Sequence, residues 1–283
     1  MRARAQLTAA APRAVSALGD PGAGGPGAGG SDPDGGSDPD GGSRPGEGCR
    51  LVLVRDAPPV AFRATPEAVY LVGTAASPVG DDKVIIDVEV EAGAALKVRS
   101  AASMIAWASA GSSLEVNVSV GRGGYLDWHL QPMIASAGCS FSQCVRAKLA
   151  DGAALRWTEE IVLGRHGEQP GRLSLRLDVD IDDNPLLRHQ LELGPGVPGW
   201  DGPAVLGPNR AVGLVLLTTS GVAKGGPGAP SSGTGTGWSV MALEGPGVLV
   251  SAVGPDLARL RLGLDEALSH CPATPTARPG RGG

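Results

Sequence analysis

The chain has 283 residues and 42% of them are apolar, enough to bury a core in one large domain or two ordinary ones. With only five Trp, two Tyr and two Phe, that core must be built mainly from Val, Leu, Ile and Ala. The formal charge of −5 belongs to residues 19–48, which hold six acids and one base; the remainder has 23 of each sign, and a neutral body excludes the electrostatic footprint of a nucleic-acid or anionic-membrane binder.

In chain order, residues 1–18 come first. Met1–Leu7 has basic residues and no apolar h-region, and Pro12 and Arg13 interrupt the adjoining segment, so a secretory signal is not expected. The longest apolar run, Val212–Leu217, is far shorter than the roughly 18 residues of a membrane span. The expectation is a soluble cytoplasmic protein whose four cysteines are reduced thiols. Residues 19–48 form a Gly/Asp/Pro-rich insert with a tandem repeat, SDPDGG at 31–36 and 37–42. Such a composition cannot bury enough apolar surface to offset the entropy of ordering, so the insert is predicted to be disordered.

Residues 49–283 read as one β domain with the period of strands rather than of helices. Val84, Ile86, Val88 and Val90 alternate with Ile85, Asp87 and Glu89. Leu114 to Val120 and Leu173 to Ile181 alternate in the same way, each with one polar face. The segments also repeat. AGAALKV (92–98), RGGYLDW (122–128) and DGAALRW (151–157) align Gly93, Gly123 and Gly152, spaced 30 and 29 residues apart. Leu96, Leu126 and Leu155 align too, as do Val98, Trp128 and Trp157, and Asn184–Arg188 reads as a degenerate fourth copy. A repeat of that length points to stacked coils, a β-solenoid-like architecture, with ordinary antiparallel hairpins as the alternative. The fold class is therefore all-β, with one or two short helices. Lys224–Gly237 reads as a flexible loop. Trp238–Leu243 and Val248–Val253 read as a hairpin, and 256–270 as a short amphipathic helix, with Leu257, Leu260, Leu264 and Leu268 at helical spacing.

No catalytic motif stands out. There is no nucleophile elbow, phosphate-binding loop or dinucleotide fingerprint. Asp178, Asp180 and Asp182 resemble the start of a calcium loop, but Asp183 and His189 stand where that loop needs Gly and Glu, so the acids read as a solvated strand face. Cys139 and Cys144, an odd number of residues apart, fall on opposite strand faces and read as isolated thiols. The four histidines have no spaced partners. Glu159 and Glu160 also point to opposite faces, so they cannot act on one substrate atom; an inward one would need a partner, for which Arg156 or Arg165 is available.

One ordered series of segments is more specific. LVGTAASPVGDD (71–82) is followed by GAALKVRSAAS (93–103), GGYLDWHLQPMIASAG (123–138) and LRWTEEIVLGRHGEQPGRL (155–173). NPLLRHQLELG (184–194) and WDGPAVLGPNRAVG (200–213) complete it. The series resembles the UreD/UreH urease accessory proteins, in particular their shorter actinobacterial branch, and Met1–Ala10 resembles the family's first strand. The resemblance implies a non-enzymatic β-rich scaffold required for maturation of urease. It binds apo-urease and UreF, and UreG through UreF, and nickel passes through it without being held as a tight cofactor. Two departures stand out: Arg99–Ser103 replaces a more polar run, and the 19–48 insert replaces a short connection. An ion in transit needs dispersed polar ligands, and the candidates for such a conduit are Asp81, Asp82, Glu160 and Asp201. Two other classes remain open on the sequence: a β-solenoid carbohydrate-active enzyme, and a structural binding module with no metal role.

Overall fold

The period-two runs become the strands of two facing sheets in the computed structural model, which describes residues 1–11, 50–218 and 232–271. The insert at 19–48 lies outside the described residues. The first strands are β1 (Arg2–Ala10), β2 (Arg50–Arg55), β3 (Val60–Ala64) and β4 (Val69–Gly73). Then come β5 (Lys83–Val90), β6 (Ala95–Ser100), β7 (Met104–Ala106), β8 (Ser112–Val120), β9 (Tyr125–His129) and β10 (Met133–Ala135). They are followed by β11 (Ser140–Leu149), β12 (Ala154–Leu163), β13 (Arg172–Ile181) and β14 (Asn184–Leu193). The C-terminal part holds β15 (Ala211–Thr218), β16 (Gly233–Gly235), β17 (Trp238–Ala242), β18 (Gly247–Gly254) and one helix, α1 (Leu257–Ser269). Sheet A has the order β14-β13-β11-β8-β5-β1-β2; sheet B runs β16-β17-β18-β15-β12-β9-β6-β4-β3, with β10 and β7 added beside β12.

Three coils make the centre of the molecule: β5 to β7, β8 to β10, and β11 with β12. Each passes from a strand of sheet A through a glycine turn into sheet B. β5, β8, β11 and β13 pair in parallel in sheet A, as do β6, β9 and β12 in sheet B. This is a β-solenoid, and the parallel register excludes the hairpin alternative. Gly93, Gly123 and Gly152 turn each coil with φ of +70°, +65° and +72°, a region that glycine enters without steric cost. Because the coils are stacked in register, Leu96, Leu126 and Leu155 stand side by side, as do Val98, Trp128 and Trp157.

The fourth copy at Asn184–Arg188 needs correction. Asp182 and Asp183 both adopt left-handed φ, +46° and +61°, and reverse the chain, so β14 runs antiparallel to β13. Two successive left-handed residues make a tight hairpin turn, and the parallel stack ends there.

Alternation decides the two faces of sheet A. Ala5, Ile86, Val116, Val145 and Leu177 lie in register and are buried, and their neighbours Asp87, Asn117, Arg146 and Asp178 form a polar ladder on the outside. Arg4 and Asn117 both donate to Asp87 within that ladder. The buried sets of sheets A and B meet in one hydrophobic core. Each fully buried Val, Leu or Ile of these sets stabilises the fold by about 1.5–3 kcal/mol relative to exposure.

The second core lies on the other face of sheet B. There α1 sets Leu260, Leu264 and Ala267 against Val215, Trp238, Val250 and their neighbours. Asp256 caps the helix by accepting from the Arg259 N–H at 2.8 Å. Gly213 on β15 permits the approach, since a Cβ there would stand 3.1 Å from Leu264 Cδ1 and 3.1 Å from the Glu159 carbonyl oxygen. The loop expected at 224–237 is shorter on its C-terminal side. Gly233–Gly235 pairs with β17, and Gly235 leaves room for the Trp238 ring, which a Cβ would overlap. Residues 219–231 lie outside the described residues. No helix among the described residues is long and apolar enough to cross a membrane.

Candidate functional site

β12 is buried along nearly its whole length: its inner side chains join the core between the sheets, and its neighbour β15 carries α1 on the outer face. Its inner residues are Leu155, Trp157, Glu159 and Ile161, and its outer ones include Arg156, Thr158 and Glu160. A cavity of about 360 Å³ opens between the sheets beside it. Its walls are mostly apolar, with Ile86, Val116 and Phe141 from sheet A facing Trp128 and Trp157 from sheet B. The two tryptophans are register neighbours, stacked with ring centroids 4.9 Å apart and planes 6° apart.

Glu159 is the carboxyl group on the inner face of β12 at this cavity. It is buried, and one oxygen accepts from Trp157 Nε1 at 2.8 Å and from Gln143 Nε2 at 2.7 Å. Gln143 comes from β11, so this contact ties sheet A to sheet B. Burial pushes the Glu159 pKa up to about 7, against the two hydrogen bonds, which favour the ionised form. Both donors are uncharged, so neither Arg156 nor Arg165 is its partner. The Arg165 guanidinium lies over the Trp107 ring and clamps Glu168, whose pKa the ion pair lowers to about 2.

Glu160 faces the other way. Its side chain is 3% exposed and takes the Arg261 guanidinium of α1 through Nε at 2.9 and 3.2 Å and Nη2 at 2.7 Å. It also lines the cavity, together with Gln131, where β9 has ended and β10 has not begun. The other conduit candidates stand elsewhere. Asp82 is buried in the loop before β5 and accepts from the Met1 amino group at 3.0 Å, Ser77 Oγ at 2.9 Å and the Val79 N–H at 3.1 Å. Burial opposes its ionisation, but those three bonds outweigh it and hold its pKa below the ordinary value. Ser77 and Pro78, in the loop that Asp82 pins, line the same cavity as Glu159 and Glu160. Asp81 is exposed, 3.6 Å from the Met1 amino group, and Asp201 sits in an exposed turn between β14 and β15.

The remaining polar groups have local roles. Asp178 and Asp180 pair with Arg176 and Arg188, and Asp182 accepts from the Asp151 N–H. Burial raises the Cys139 thiol to about 11, while Cys144 lies opposite Arg176 in the sheet A ladder. His270 stacks on Trp238. Among the described residues, no three His, Cys, Asp or Glu side chains converge as a metal-binding group. Sequence reasoning missed Gln143 and Arg261, which lie 16 and 101 residues from the glutamates they hold. The period-two pattern did carry one signal: it put Glu159 on the same face as Leu155 and Trp157.

These features define a helix-poor β-solenoid whose two sheets are extended by antiparallel strands and enclose a carboxylate-bearing cavity between them. The profile of the UreD urease accessory proteins matches residues 53–281. The urease accessory protein UreD of Streptomyces coelicolor is 40% identical over 231 residues, covering 78% of this chain and 90% of the relative. UreD 2 of Saccharopolyspora erythraea is 39% identical over 216 residues, covering 73% and 75%. UreD 3 of Streptomyces griseus is 38% identical over 234 residues, covering 78% and 90%. The chain belongs to the UreD urease accessory protein family.

Proposed function

We propose that this chain is a non-enzymatic cytoplasmic scaffold for urease maturation. It bridges apo-urease and UreF, recruits UreG through UreF, and lets nickel pass through the space between its sheets. Nickel here is cargo, not a resident cofactor. The observation that carries the reading is the inter-sheet cavity with Glu159 fixed in its wall. A cage of several anionic ligands would retain the ion, whereas one carboxyl group among apolar walls offers a weak and temporary stop. Of the four acids singled out from the sequence, Glu160 lines this cavity and Asp82 pins a loop that lines it. Asp81 and Asp201 lie in exposed turns and would meet the ion only outside it.

The experiment is made in cells that express the urease operon with and without this chain. The reading expects urease purified without it to lack nickel, and the tagged chain to capture UreF and UreG together. Urease with full nickel content in the absence of the chain would contradict the reading.

A further inference from the structure

Sheet A has a polar outer face that the conduit does not use. β8 is the middle strand of its seven, with β5 on one side and β11 on the other. The three run parallel and in register, so their outward side chains form rows across the sheet. In one row Glu89, Ser119 and Lys148 stand side by side; in the next, Asp87, Asn117 and Arg146. Acids thus stand on β5 and bases on β11 at equal heights. All six residues line a groove of about 400 Å³ on this face.

The two rows differ in how their charges are matched. Asp87 accepts from Arg4 and Asn117, and Arg146 donates to Glu115 at 2.9 Å, so that row is satisfied within the chain. Glu89 reaches Thr8 Oγ1 at 3.5 Å, and neither Glu89 nor Lys148 has an ion-pair partner among the described residues. Both are exposed, two strand spacings or about 10 Å apart. The row therefore offers one negative and one positive contact to whatever lies across the groove.

A second copy of the chain presents the complement. Half a turn about an axis along β8, in the plane of contact, sets β5 of one copy over β11 of the other, with strands parallel and rows level. Glu89 of each copy then meets Lys148 of the other. Ile85 and Cys144, both outward and half-buried, are brought together by the same rotation. Asn117 and Ser119 meet their own counterparts on the axis, where an amide or a hydroxyl can both donate and accept. Glu115 meets its counterpart too, and the Arg146 of its own chain offsets that charge. Seven strands of about eight residues span about 29 Å by about 26 Å, near the roughly 800 Å² per partner of a standard specific interface.

We propose that the outer face of sheet A is a self-association surface, on which a second copy of this chain docks about a twofold axis along β8, matched by reciprocal Glu89–Lys148 pairs. The contact uses the same patch on both copies, so it closes at two. Its charge pairs are exposed at the rim of the groove, so salt weakens it. It depends on neither nickel nor urease, and its failure leaves the scaffold reading standing.

Sedimentation equilibrium of the purified full chain is the test. Wild type should show a monomer–dimer equilibrium in the micromolar range that shifts toward monomer as salt rises. E89K sets like charges against each other at both reciprocal contacts and should weaken the dimer on the order of tenfold or more, as should K148E. E89K/K148E exchanges the two signs and should restore it. E89K mixed with K148E should form a heterodimer, since the lysines of one then meet the glutamates of the other. Both positions are exposed, so folded variants are expected, and circular dichroism checks this. Should a reversal unfold the chain, the neutral variants E89Q and K148Q carry the test, because each should blunt the salt dependence. A wild-type chain that stays monomeric at concentrations well above micromolar would overturn the proposal. So would a dimer indifferent to both reversals, folded single variants that fail to pair with each other, or a salt dependence unchanged in E89Q and K148Q.

Discussion

On the inner face of β12, Glu159 is held by two uncharged donors, Trp157 and Gln143; on the outer face, one residue further on, Glu160 is matched by the Arg261 guanidinium. Both side chains are buried. The inner face has no counter-charge, so burial favours the protonated acid. The outer face has α1, which brings a full positive charge to the strand. The same residue type is therefore an acid biased toward its protonated form on one side of the sheet and half of an ion pair on the other. Neighbouring elements, not sequence position, assign the two roles.

W157A strikes the inner face hardest. It removes a fully buried indole, its stack on Trp128 and one of the two donors to Glu159. A loss of about 3–5 kcal/mol is expected in denaturant unfolding.

The second test bears on the Glu159 carboxyl group alone. Glu159 keeps its proton up to about pH 7 in the folded chain, against an ordinary value of 4.5. Between those values the folded state binds one more proton than the unfolded state, so this residue makes stability fall as pH rises from about 4.5 to about 7. The fall is on the order of 3 kcal/mol and stops above that window. E159Q keeps an oxygen acceptor and has no charge to bury, so unfolding at a series of pH values should lose this component. A slope unchanged in E159Q would mean that another group produces it.

G213A probes the outer face. The added Cβ presses on Leu264 and on the Glu159 carbonyl, and a cost of about 1–3 kcal/mol is expected. Hydrogen exchange should rise in α1 and leave the coils at Gly93 and Gly123 unaffected. The smallest effect belongs to a pair with neither kind of burial. Arg122 and Asp151 are 74% and 68% exposed, and R122A should change stability by no more than about 0.5 kcal/mol.

The coils are legible in the sequence because their signals are local. A glycine turn followed by an alternating strand repeats at nearly constant spacing, and the parallel stack makes that spacing the length of one coil. The helix is legible for the same reason, from the spacing of Leu257, Leu260, Leu264 and Leu268. The end of the stack is not. Asn184–Leu193 has the composition of another strand, and only the two left-handed aspartates decide that it turns back. The glutamate partners are beyond reach, since Gln143 acts across two sheets and Arg261 arrives from a helix near the C-terminus. Acids in turns stand out in the sequence because turns are easy to find there. The cavity wall is a property of two sheets together.

In the proposed function, nickel for urease passes the cavity wall at Glu159. The deciding quantity is the nickel content of urease matured in cells whose only copy of this chain is E159Q. That variant replaces the ionisable carboxyl group with an amide of the same shape and leaves neither a buried charge nor a void, so a folded chain is expected. The expected result is a folded chain that still captures UreF, with urease that is depleted in nickel. Urease with the wild-type nickel content beside a folded E159Q chain would contradict it.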